Sequence, residues 1–389
     1  MLFKDTEIGK IPEHWQISPL EEYAEVLDPH PSHRAPKAVE NGLPFVGIGD
    51  LDAYGSADFS KARKVSEEVI SEHESNYMIN SHSIGYAKMG NTIGKVVSFP
   101  ERRGDCRYAV SPALSIINPK DNINPFYLRA IVESRAFFEQ VSGRITGSTR
   151  PSIGIQLLRK ILIPVPSKKE QDLIGEYWYN IYRLIQVNNT ICEKLEAQAK
   201  ELFFKKFGEV TEGAGSIGEY VKLKRGKNLL SKDAIPGDVP VVAGGLSPAT
   251  YHNASNTEAP VLTVSASGAN AGYVALWERK VWSSDSSFLD TSCSTNVYFW
   301  YVMLKTRQKE IFDLQTGSAQ PHIYPQNIEN MKVCELKELD MQEYNEEVSS
   351  MFKMIGKKRE EIKKLERLRD VMLPKIISGD VDILSLYAG

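Results

Sequence analysis

The chain has 389 residues, a length that corresponds as a prior to two or three domains of about 150 residues each. Apolar residues make up 42% and charged residues 25%, which excludes a disordered or fibrous protein. No apolar run approaches the ~18 residues of a bilayer-spanning helix, and the N-terminus MLFKDTEIGK has no apolar secretion signal. The net charge is −3, so any nucleic-acid surface has to come from local clusters of basic residues.

The cysteines and histidines do not suggest a metal site. The cysteines are scattered, without a CxxC pair, at Cys106, Cys192, Cys293 and Cys334. This spacing argues against a disulfide framework or a zinc site and is typical of the reducing cytosol. His30 and His33 flank a proline-rich loop without partner ligands, and we predict no metal and no catalytic triad or carboxylate pair.

An internal repeat is the most informative feature of the sequence. Residues 146–153 read TGSTRPSI, and residues 316–323, which lie 170 positions later, read TGSAQPHI. Upstream, GNTIGKV (90–96) matches GANAGYV (268–274) at a slightly different offset. Because the matching segments occur in the same order in both halves, we predict a tandem duplication of one module of roughly 170–200 residues.

Each module is predicted to begin with short strands broken by Gly, Pro, Asn and Ser and to end in one long helix. Apolar steps of three and four predict these helices over 167–208 and 338–375, with Ser167 as the first N-cap and Pro374 ending the second helix. Two apolar seams of similar length favour an intramolecular coiled coil, the alternative being that each helix packs on its own domain. The residues predicted to pair the helices are Tyr177, Ile181, Leu184, Ile191, Leu195, Leu202, Val348, Met351, Ile355, Ile362, Leu365 and Met372.

Two motifs of the first module are similar to those of adenine methyltransferases. FVGIG (45–49) resembles a loop that binds S-adenosylmethionine, and NPFY (124–127) resembles the Asn-Pro-Pro-Tyr loop that holds a flipped adenine. The structural alternative is a strand end for FVGIG and, for NPFY, an N-cap at Asn124 with Pro125 in the first helical turn. Phe126 replaces the second proline, and no helix pattern follows Gly49, so we favour the structural interpretation.

GNTIGKV also resembles a phosphate-binding glycine loop, but its spacing is wrong for nucleotide hydrolysis. Three residues separate its glycines where a P-loop has four, and Val96 follows the lysine in place of Ser or Thr. The copy GANAGYV lacks the lysine. We therefore predict tight turns at Gly94 and Gly272.

Basic residues mixed with Asn, Thr, Ser, Gln and Tyr on glycine-rich loops suit phosphate anchoring and base-edge reading, although any single lysine is more simply a solvated surface residue. Such loops occur in both halves of a chain with negative net charge. Lys222, Lys224, Arg225 and Lys227 are predicted to anchor phosphates. The complete set of DNA-binding candidates is Tyr86, Lys88, Asn91, Thr92, Lys95, Arg102, Arg103, Arg107, Ser148, Arg150, Lys222, Lys224, Arg225, Lys227, Ser267, Asn270, Tyr273, Ser318, Gln320 and His322.

Over essentially its whole length the chain resembles the specificity (S) subunits of type I restriction–modification systems. The resemblance rests on the motifs GKIPEHW (9–15), TGSTRPSI, TGSAQPHI, ILIPVPSKKEQ (161–171) and LPKIISGDVDI (373–383). The second module departs from the family pattern at 336–344, where LKELDMQEY replaces the proline-rich segment that leads into the helix.

The resemblance implies an α+β fold with two target-recognition domains in pseudo-twofold arrangement, separated by two long antiparallel helices. The domains would span 1–166 and 209–337, the helices 167–208 and 338–375, and a tail 376–389. It further implies a non-catalytic, cytoplasmic DNA reader of an asymmetric, gapped sequence. Its partners would be two adenine-N6 methyltransferase (M) subunits and the restriction–translocase (R) subunits, to which the cofactors S-adenosylmethionine, ATP and Mg²⁺ belong.

Two other functions remain open at this point. A stand-alone adenine methyltransferase would use FVGIG and NPFY, and labelling of Phe45–Gly49 by S-adenosylmethionine crosslinking would identify it. A coiled-coil scaffold without DNA function is disfavoured by the basic loop clusters in both halves.

Overall fold

A computed structural model describes residues 2–30, 35–55, 57–102, 104–147, 151–211, 213–317 and 320–387. The chain divides into two compact units. Unit 1 comprises Met1–Val187 and Ile362–Gly389, and unit 2 comprises Asn188–Glu361. None of the described helices combines the length and the apolar character that a membrane span requires.

Unit 1 is built from short strands and helices that precede the first long helix. Its strands are β1 (Phe3–Thr6), β2 (Gly9–Pro12), β3 (Gln16–Pro19), β4 (Ala24–Leu27), β5 (Leu43–Val46), β6 (Arg63–Val65), β7 (Ile84–Ala87), β8 (Val96–Ser98), β9 (Ala109–Val110), β10 (Leu114–Pro119) and β11 (Leu162–Val165). Its helices are α1 (Leu20–Tyr23), α2 (Glu67–Asn76), α3 (Pro125–Val132), α4 (Arg135–Ser142), α5 (Ile155–Arg159) and the start of α6 (Lys168–Phe207).

Unit 2 repeats this pattern. Its strands are β12 (Gly215–Ser216), β13 (Lys224–Arg225), β14 (Val239–Val242), β15 (Thr250–His252), β16 (Val261–Ser265), β17 (Val274–Trp277), β18 (Trp282–Ser283), β19 (Ser286–Asp290) and β20 (Lys332–Val333). Its helices are α7 (Ile217–Tyr220), α8 (Val297–Thr306), α9 (Gln308–Asp313) and α10 (Pro325–Glu329), with a 3₁₀ turn at Ser231–Asp233. The last helices of the chain are α11 (Glu338–Ile377) and α12 (Ile383–Leu386).

The described strands of the two units follow one sheet topology. Unit 1 has a four-stranded antiparallel sheet in the order β4-β10-β7-β8, and unit 2 has the matching order β13-β19-β16-β17. The three-stranded sheet β6-β5-β9 of unit 1 likewise corresponds to β15-β14-β18 of unit 2. Each of these sheets contains one parallel pair, β5–β9 in unit 1 and β14–β18 in unit 2. The pair β3–β11 corresponds to β12–β20, and unit 1 adds the hairpin β1–β2. This shared strand order is what a tandem duplication predicts.

The long helices α6 and α11 are 40 residues each, and each contributes one half to either unit. In unit 2 the Tyr344 hydroxyl donates to the Ala199 carbonyl (2.7 Å), and the Cys192 Sγ lies 3.9 Å from the Ile355 carbonyl oxygen. The later residue of α6 thus meets the earlier residue of α11, so the two halves run antiparallel there. In unit 1 the first part of α6 shares a core with the end of α11 in the same sense. The predicted mixed fold with two long antiparallel helices is confirmed.

The apolar seam of α6 is displaced by one residue from part of the prediction. Leu184 is 47% exposed, whereas its neighbour Ile185 is buried, so the prediction for Leu184 is wrong. Cys192 is buried next to the half-buried Ile191. The buried positions recur at steps of three and four, apart from one step of seven between Cys192 and Ala199; they are Ile174, Trp178, Ile181, Ile185, Asn188, Cys192, Ala199 and Phe203. Leu184 and Ile185 are adjacent apolar residues, as are Ile191 and Cys192, so the apolar pattern does not determine which member of each pair lies on the seam.

The other predicted helix-pairing residues differ in burial. Val348 and Ile355 are buried in the unit 2 core, which Leu195, Leu202 and Met351 also contact. Partly buried Tyr177 and Met372 pack on the unit 1 core, and Ile362 and Leu365 are half-buried.

Pro374 does not end α11, contrary to the prediction. The helix continues to Ile377, and the Ser378 amide donates to the Pro374 carbonyl (2.9 Å). Leu373, Ile376 and Ile377 are buried in the unit 1 core. Burial of this last turn offsets the hydrogen bond that proline cannot make.

Candidate nucleic-acid interface

The two repeat motifs of unit 2 lie against each other. Turn 266–273, between β16 and β17, contacts hairpin 316–322, which precedes α10. Ser267 pairs with His322 in an antiparallel bridge, and the Gly268 amide donates to the Pro321 carbonyl (3.0 Å). The described residues of GANAGYV and TGSAQPHI therefore lie side by side, and we call them the loop pair of unit 2.

Unit 1 has the same arrangement, the loop pair of unit 1, formed by turn 88–95 and hairpin 146–152. Met89 pairs with Ser152, and the Gly90 amide donates to the Pro151 carbonyl (2.8 Å). The glycines predicted to form tight turns adopt left-handed backbone, with φ of +90° at Gly94 and +88° at Gly272. Each unit thus has the same kind of glycine turn, but the turns carry different side chains.

Most unit 2 candidates on the loop pair are accessible. Gln320 is exposed, and Ser267, Asn270, Tyr273 and His322 are half-exposed. The Asn270 amide donates to the Gly244 carbonyl (3.4 Å), which brings loop 243–249 to this surface. Ser318 lies outside the described residues. The described candidates of GANAGYV and those of TGSAQPHI, which are far apart in sequence, thus lie close together in the structure.

The unit 1 candidates on the loop pair are fewer among the described residues. Asn91, Thr92 and Lys95 are exposed on turn 88–95. Ser148 and Arg150 lie outside the described residues. The turn therefore offers one amide, one hydroxyl and one ammonium group, a set that can contact bases or phosphates.

Tyr86 and Lys88 are wrong as surface candidates, because both are buried. Tyr86 packs edge-on against Phe137, and burial raises the pKa of its hydroxyl. The Lys88 side chain is 1% exposed, and its Nζ lies 2.5 Å from a carboxylate oxygen of Asp28. Burial lowers the pKa of Lys88 against the opposing effect of Asp28. Tyr86 lies in strand β7, and Lys88 follows the last residue of that strand. The polar and basic residues that suggested a surface here belong to a buried strand and a buried ion pair.

Arg102 is also a structural residue. Its guanidinium donates to the carbonyls of Tyr77 (3.0 Å) and Tyr108 (2.9 Å) and to Nδ1 of His73 (2.8 Å). A guanidinium whose two terminal nitrogens are bonded to groups of the protein and whose Nε is buried has little left for DNA. The prediction that Arg102 binds DNA is wrong for that reason.

Arg107 is engaged by acidic side chains of α2. It lies 2.7 Å from a carboxylate oxygen of Glu67 and 2.9 Å from one of Glu74. The two carboxylates neutralise its charge, so Arg107 is a poor phosphate anchor. Arg103 lies outside the described residues.

The packing around His73 predicts acid sensitivity in unit 1. Arg102 lies at Nδ1 and the Val110 amide lies at Nε2 (3.1 Å), so neither ring nitrogen faces an acceptor that would stabilise a second ring proton. Burial, aided by the charge of Arg102, lowers the pKa of His73 from 6.5 to about 3. The unfolded chain therefore binds a proton below pH 6.5 that the folded chain refuses until about pH 3, and stability falls across that window.

We expect unit 1 to lose roughly 2–3 kcal/mol from this histidine between pH 7 and pH 4.5. His73→Gln should lose correspondingly less over the same interval. The measurement is the free energy of unfolding of the full chain in urea at each pH. Hydrogen exchange in peptides from unit 1 reports the unfolding of that unit. Equal losses in the two proteins would show that another group carries the acid response.

The basic segment that begins at Lys222 is partly neutralised. Lys222 pairs with Glu329 (3.2 Å), and Arg225 pairs with Asp285 (2.9 Å). The Lys224 ammonium donates to the Ser292 hydroxyl (2.8 Å) and is otherwise exposed. Lys227 is exposed. Lys224 and Lys227 are accordingly better suited to bind phosphate than Lys222.

Two acidic residues that pair with predicted DNA-binding residues are not indicated by the sequence. Asp285 pairs with Arg225, and Asp28 pairs with Lys88. Each lies about 60 positions from its partner, and only the sheet brings the partners together. No local pattern in the sequence indicates either contact.

The two methyltransferase-like motifs have structural roles. FVGIG spans the end of β5 and a turn in which the Gly47 amide donates to the Asp50 carboxylate (2.7 Å). In NPFY, the Asn124 side chain caps α3 by accepting from the amides of Phe126 (2.9 Å) and Tyr127 (3.0 Å). The predicted strand end and N-cap are confirmed. An asparagine engaged in capping is not arranged to hold an adenine.

Part of the chain matches a known protein family. Residues 12–197 match the type I restriction modification DNA specificity domain. The matched segment contains the loop pair of unit 1 and most of α6.

Curated relatives have related descriptions. The type I restriction enzyme MjaIX specificity subunit of Methanocaldococcus jannaschii is 22% identical, covering 99% of this chain and 97% of that protein. The MjaVIII specificity subunit of the same organism is 23% identical over 51% of this chain and 47% of its own length. Among solved structures, the type-I restriction-modification system S subunit from M. genitalium is similar with a TM-score of 0.53 and 18% identity. That likeness covers 93% of this chain and 96% of the other and shows a shared fold.

Proposed function

The chain belongs to the family of type I restriction–modification specificity subunits, and on that premise we propose that it reads a gapped, bipartite, asymmetric DNA site. Unit 1 reads one half-site and unit 2 the other. The observation that carries this proposal is the repeated loop pair, whose described residues make matching backbone contacts in both units but carry different side chains.

The asymmetry of the site follows from the chemistry of the two loop pairs. Turn 88–95 exposes Asn91, Thr92 and Lys95, whereas the loop pair of unit 2 offers Asn270, Gln320 and other uncharged groups. Donors and acceptors of different type select different base edges, so two such surfaces select two different half-sites. A homodimer with two identical surfaces would instead prefer a palindrome.

The shared parts of the duplication suit a shared task. Helices α6 and α11 have equal lengths of 40 residues, and they are the surfaces proposed to hold two adenine-N6 methyltransferase subunits. Together these recruit the restriction–translocase subunits. In this proposal the chain is non-catalytic, and S-adenosylmethionine, ATP and Mg²⁺ are bound by the partners. The capping role of Asn124 supports that division of labour.

The proposal is tested by expressing the full chain with its methyltransferase subunit and mapping N6-methyladenine across the host genome. We expect methylation at one bipartite sequence with an adenine in each half-site. Methylation without sequence preference, or at a palindrome, would contradict it. Crosslinking of S-adenosylmethionine to the specificity chain alone serves as the check for catalysis, and labelling at 45–49 would favour a methyltransferase.

A salt titration tests the phosphate-anchoring role of the basic segment. Each phosphate neutralised contributes about −0.9 to the slope of log K against log salt concentration. We expect Lys224→Ala with Lys227→Ala to weaken binding to specific and random DNA alike and to flatten that slope by about two. The measurement is anisotropy of labelled DNA with the methyltransferase-bound chain.

Lys280→Ala is the matched control, because Lys280 forms an exposed ion pair with Glu258 (2.7 Å) in the same unit. It should leave the slope unchanged. A double variant that loses discrimination between sequences at an unchanged slope would mean that these lysines contact bases.

A further inference from the structure

Asp285 connects two candidate DNA-contacting side chains of unit 2. One carboxylate oxygen accepts from Nη2 of Arg225 (2.9 Å), and the other accepts from the Ser267 hydroxyl. The Asp285 carbonyl accepts from the Ala266 amide (3.1 Å), which fixes its backbone against the loop pair. Both oxygens of this carboxylate are therefore directed at side chains of the candidate interface.

The backbone holds Arg225 rigidly beside Asp285. In the β13–β19 ladder Arg225 pairs with Ser287, which makes Asp285 its diagonal neighbour across the strands. A Cβ on the following residue, Gly226, would collide with the Ser284 carbonyl, so the chain passes this point in close contact with its neighbour. Arg225 thus projects from a fixed strand end, which suits a directional contact.

The charge of the pair argues against phosphate binding by Arg225. Its side chain is 43% exposed and that of Asp285 is 34% exposed, so DNA that reaches one meets the other. A phosphate would be repelled by the carboxylate at a distance far below the Debye length of about 8–10 Å. Base edges in the major groove present donors and acceptors side by side, and a guanidinium next to a carboxylate complements them.

The equivalent position of unit 1 is closed. Leu27 pairs with Ile116, the third residue of β10, as Lys224 pairs with Phe288, the third residue of β19. Asp28, the residue after Leu27, therefore corresponds to Arg225. Its partner is the buried Lys88. The corresponding strand position thus carries the acidic member of an ion pair in unit 1 and the basic member of one in unit 2, with the partners at different positions, and of the two pairs only that of unit 2 is exposed.

We propose that Arg225 reads a guanine, through its O6 and N7 acceptors, in the half-site of unit 2, and that Asp285 is the positioning residue that holds its guanidinium. This inference rests on the proposed function, because it requires unit 2 to contact DNA. The Ser267 hydroxyl, bonded to the same carboxylate, fixes the side chain of Asp285. Arg225 then differs in role from its neighbours Lys224 and Lys227.

The experiment compares methylation by the full chain, assembled with its methyltransferase subunit, for Arg225→Ala, Asp285→Ala and the double variant. We expect both single variants to lose about 10- to 100-fold discrimination at the same base pair of one half-site. The other positions should keep theirs. The double variant should lose no more than Arg225→Ala alone, because Asp285 acts through Arg225. The salt slope of DNA binding should not change.

Two further variants keep the test decisive. Arg279→Ala removes an exposed pairing with Asp238 (3.4 Å) in the same unit and should leave discrimination intact. Asp285→Asn preserves the size of the side chain, so it should weaken discrimination at the same base pair even where Asp285→Ala fails to fold.

Three results would overturn the inference. The first is that Arg225→Ala weakens all sequences equally and lowers the salt slope by about one, as a phosphate contact would. The second is that Asp285→Asn and Asp285→Ala, both folded, leave every position unchanged. The third is that the unmodified protein directs no sequence-specific methylation, which would overturn the proposed function and this inference with it.

Discussion

Replacing residues 209–337 with the corresponding segment of a relative of known specificity is expected to exchange one half-site of the methylated sequence and preserve the other. Both elements of the loop pair of unit 2, turn 266–273 and hairpin 316–322, lie inside this segment. The long helices lie outside it and are retained. Mapping of N6-methyladenine with the original methyltransferase subunit reads out both half-sites at once.

The graft must preserve the packing of the exchanged segment on the retained helices. Phe299 of α8 packs on Phe203 (centroids 5.7 Å apart) and Phe207 (5.0 Å) of the retained helix α6. Truncating a buried aromatic residue costs about 3–5 kcal/mol. An aromatic residue should therefore be kept at position 299, so that a loss of activity does not reflect a damaged core.

The matched control is the reciprocal graft of residues 12–166, which contain the loop pair of unit 1. It should exchange the other half-site. A chimera that assembles with the methyltransferase subunits yet alters both half-sites, or neither, would show that the two units do not read DNA independently.

Local and periodic signals in the sequence predicted the architecture. The duplication was visible because the TGS-containing segments repeat at a constant spacing, and their contact with the glycine turns follows in each unit. The N-cap at Asn124 was predictable because capping depends only on residues two and three positions away. The helices were predictable from period, although a one-residue displacement at Leu184 shows that hydrophobicity alone does not fix the seam.

The roles of the basic residues were less predictable, because they depend on partners far away in sequence. Arg102 and Lys88 look like surface cations until the sheets bring Tyr108, His73 and Asp28 to them. In the basic segment that begins at Lys222, two of the cations likewise have acidic partners far away in sequence. A cluster of positive charge in the sequence gives no information on which charges are already neutralised in the fold.

Lys88→Met is expected to lower the free energy of unfolding of unit 1 by about 3–5 kcal/mol, because it leaves the Asp28 carboxylate without its partner. The Lys88 side chain is 1% exposed and that of Asp28 is 10% exposed, so water cannot replace the ammonium group. The measurement is urea unfolding of the full chain, with hydrogen exchange in unit 1 peptides to separate it from unit 2.

Asp28→Leu combined with Lys88→Met is the control, since replacing both members of a buried ion pair with apolar groups is often neutral or stabilising. The double variant should recover most of the stability that Lys88→Met loses. Lys95→Met, on the exposed part of the same turn, should change stability by less than about 0.5 kcal/mol. If Lys88→Met lowers the free energy of unfolding no more than Lys95→Met does, Lys88 is accessible to solvent. Lys88 would then again be a candidate for contacting DNA.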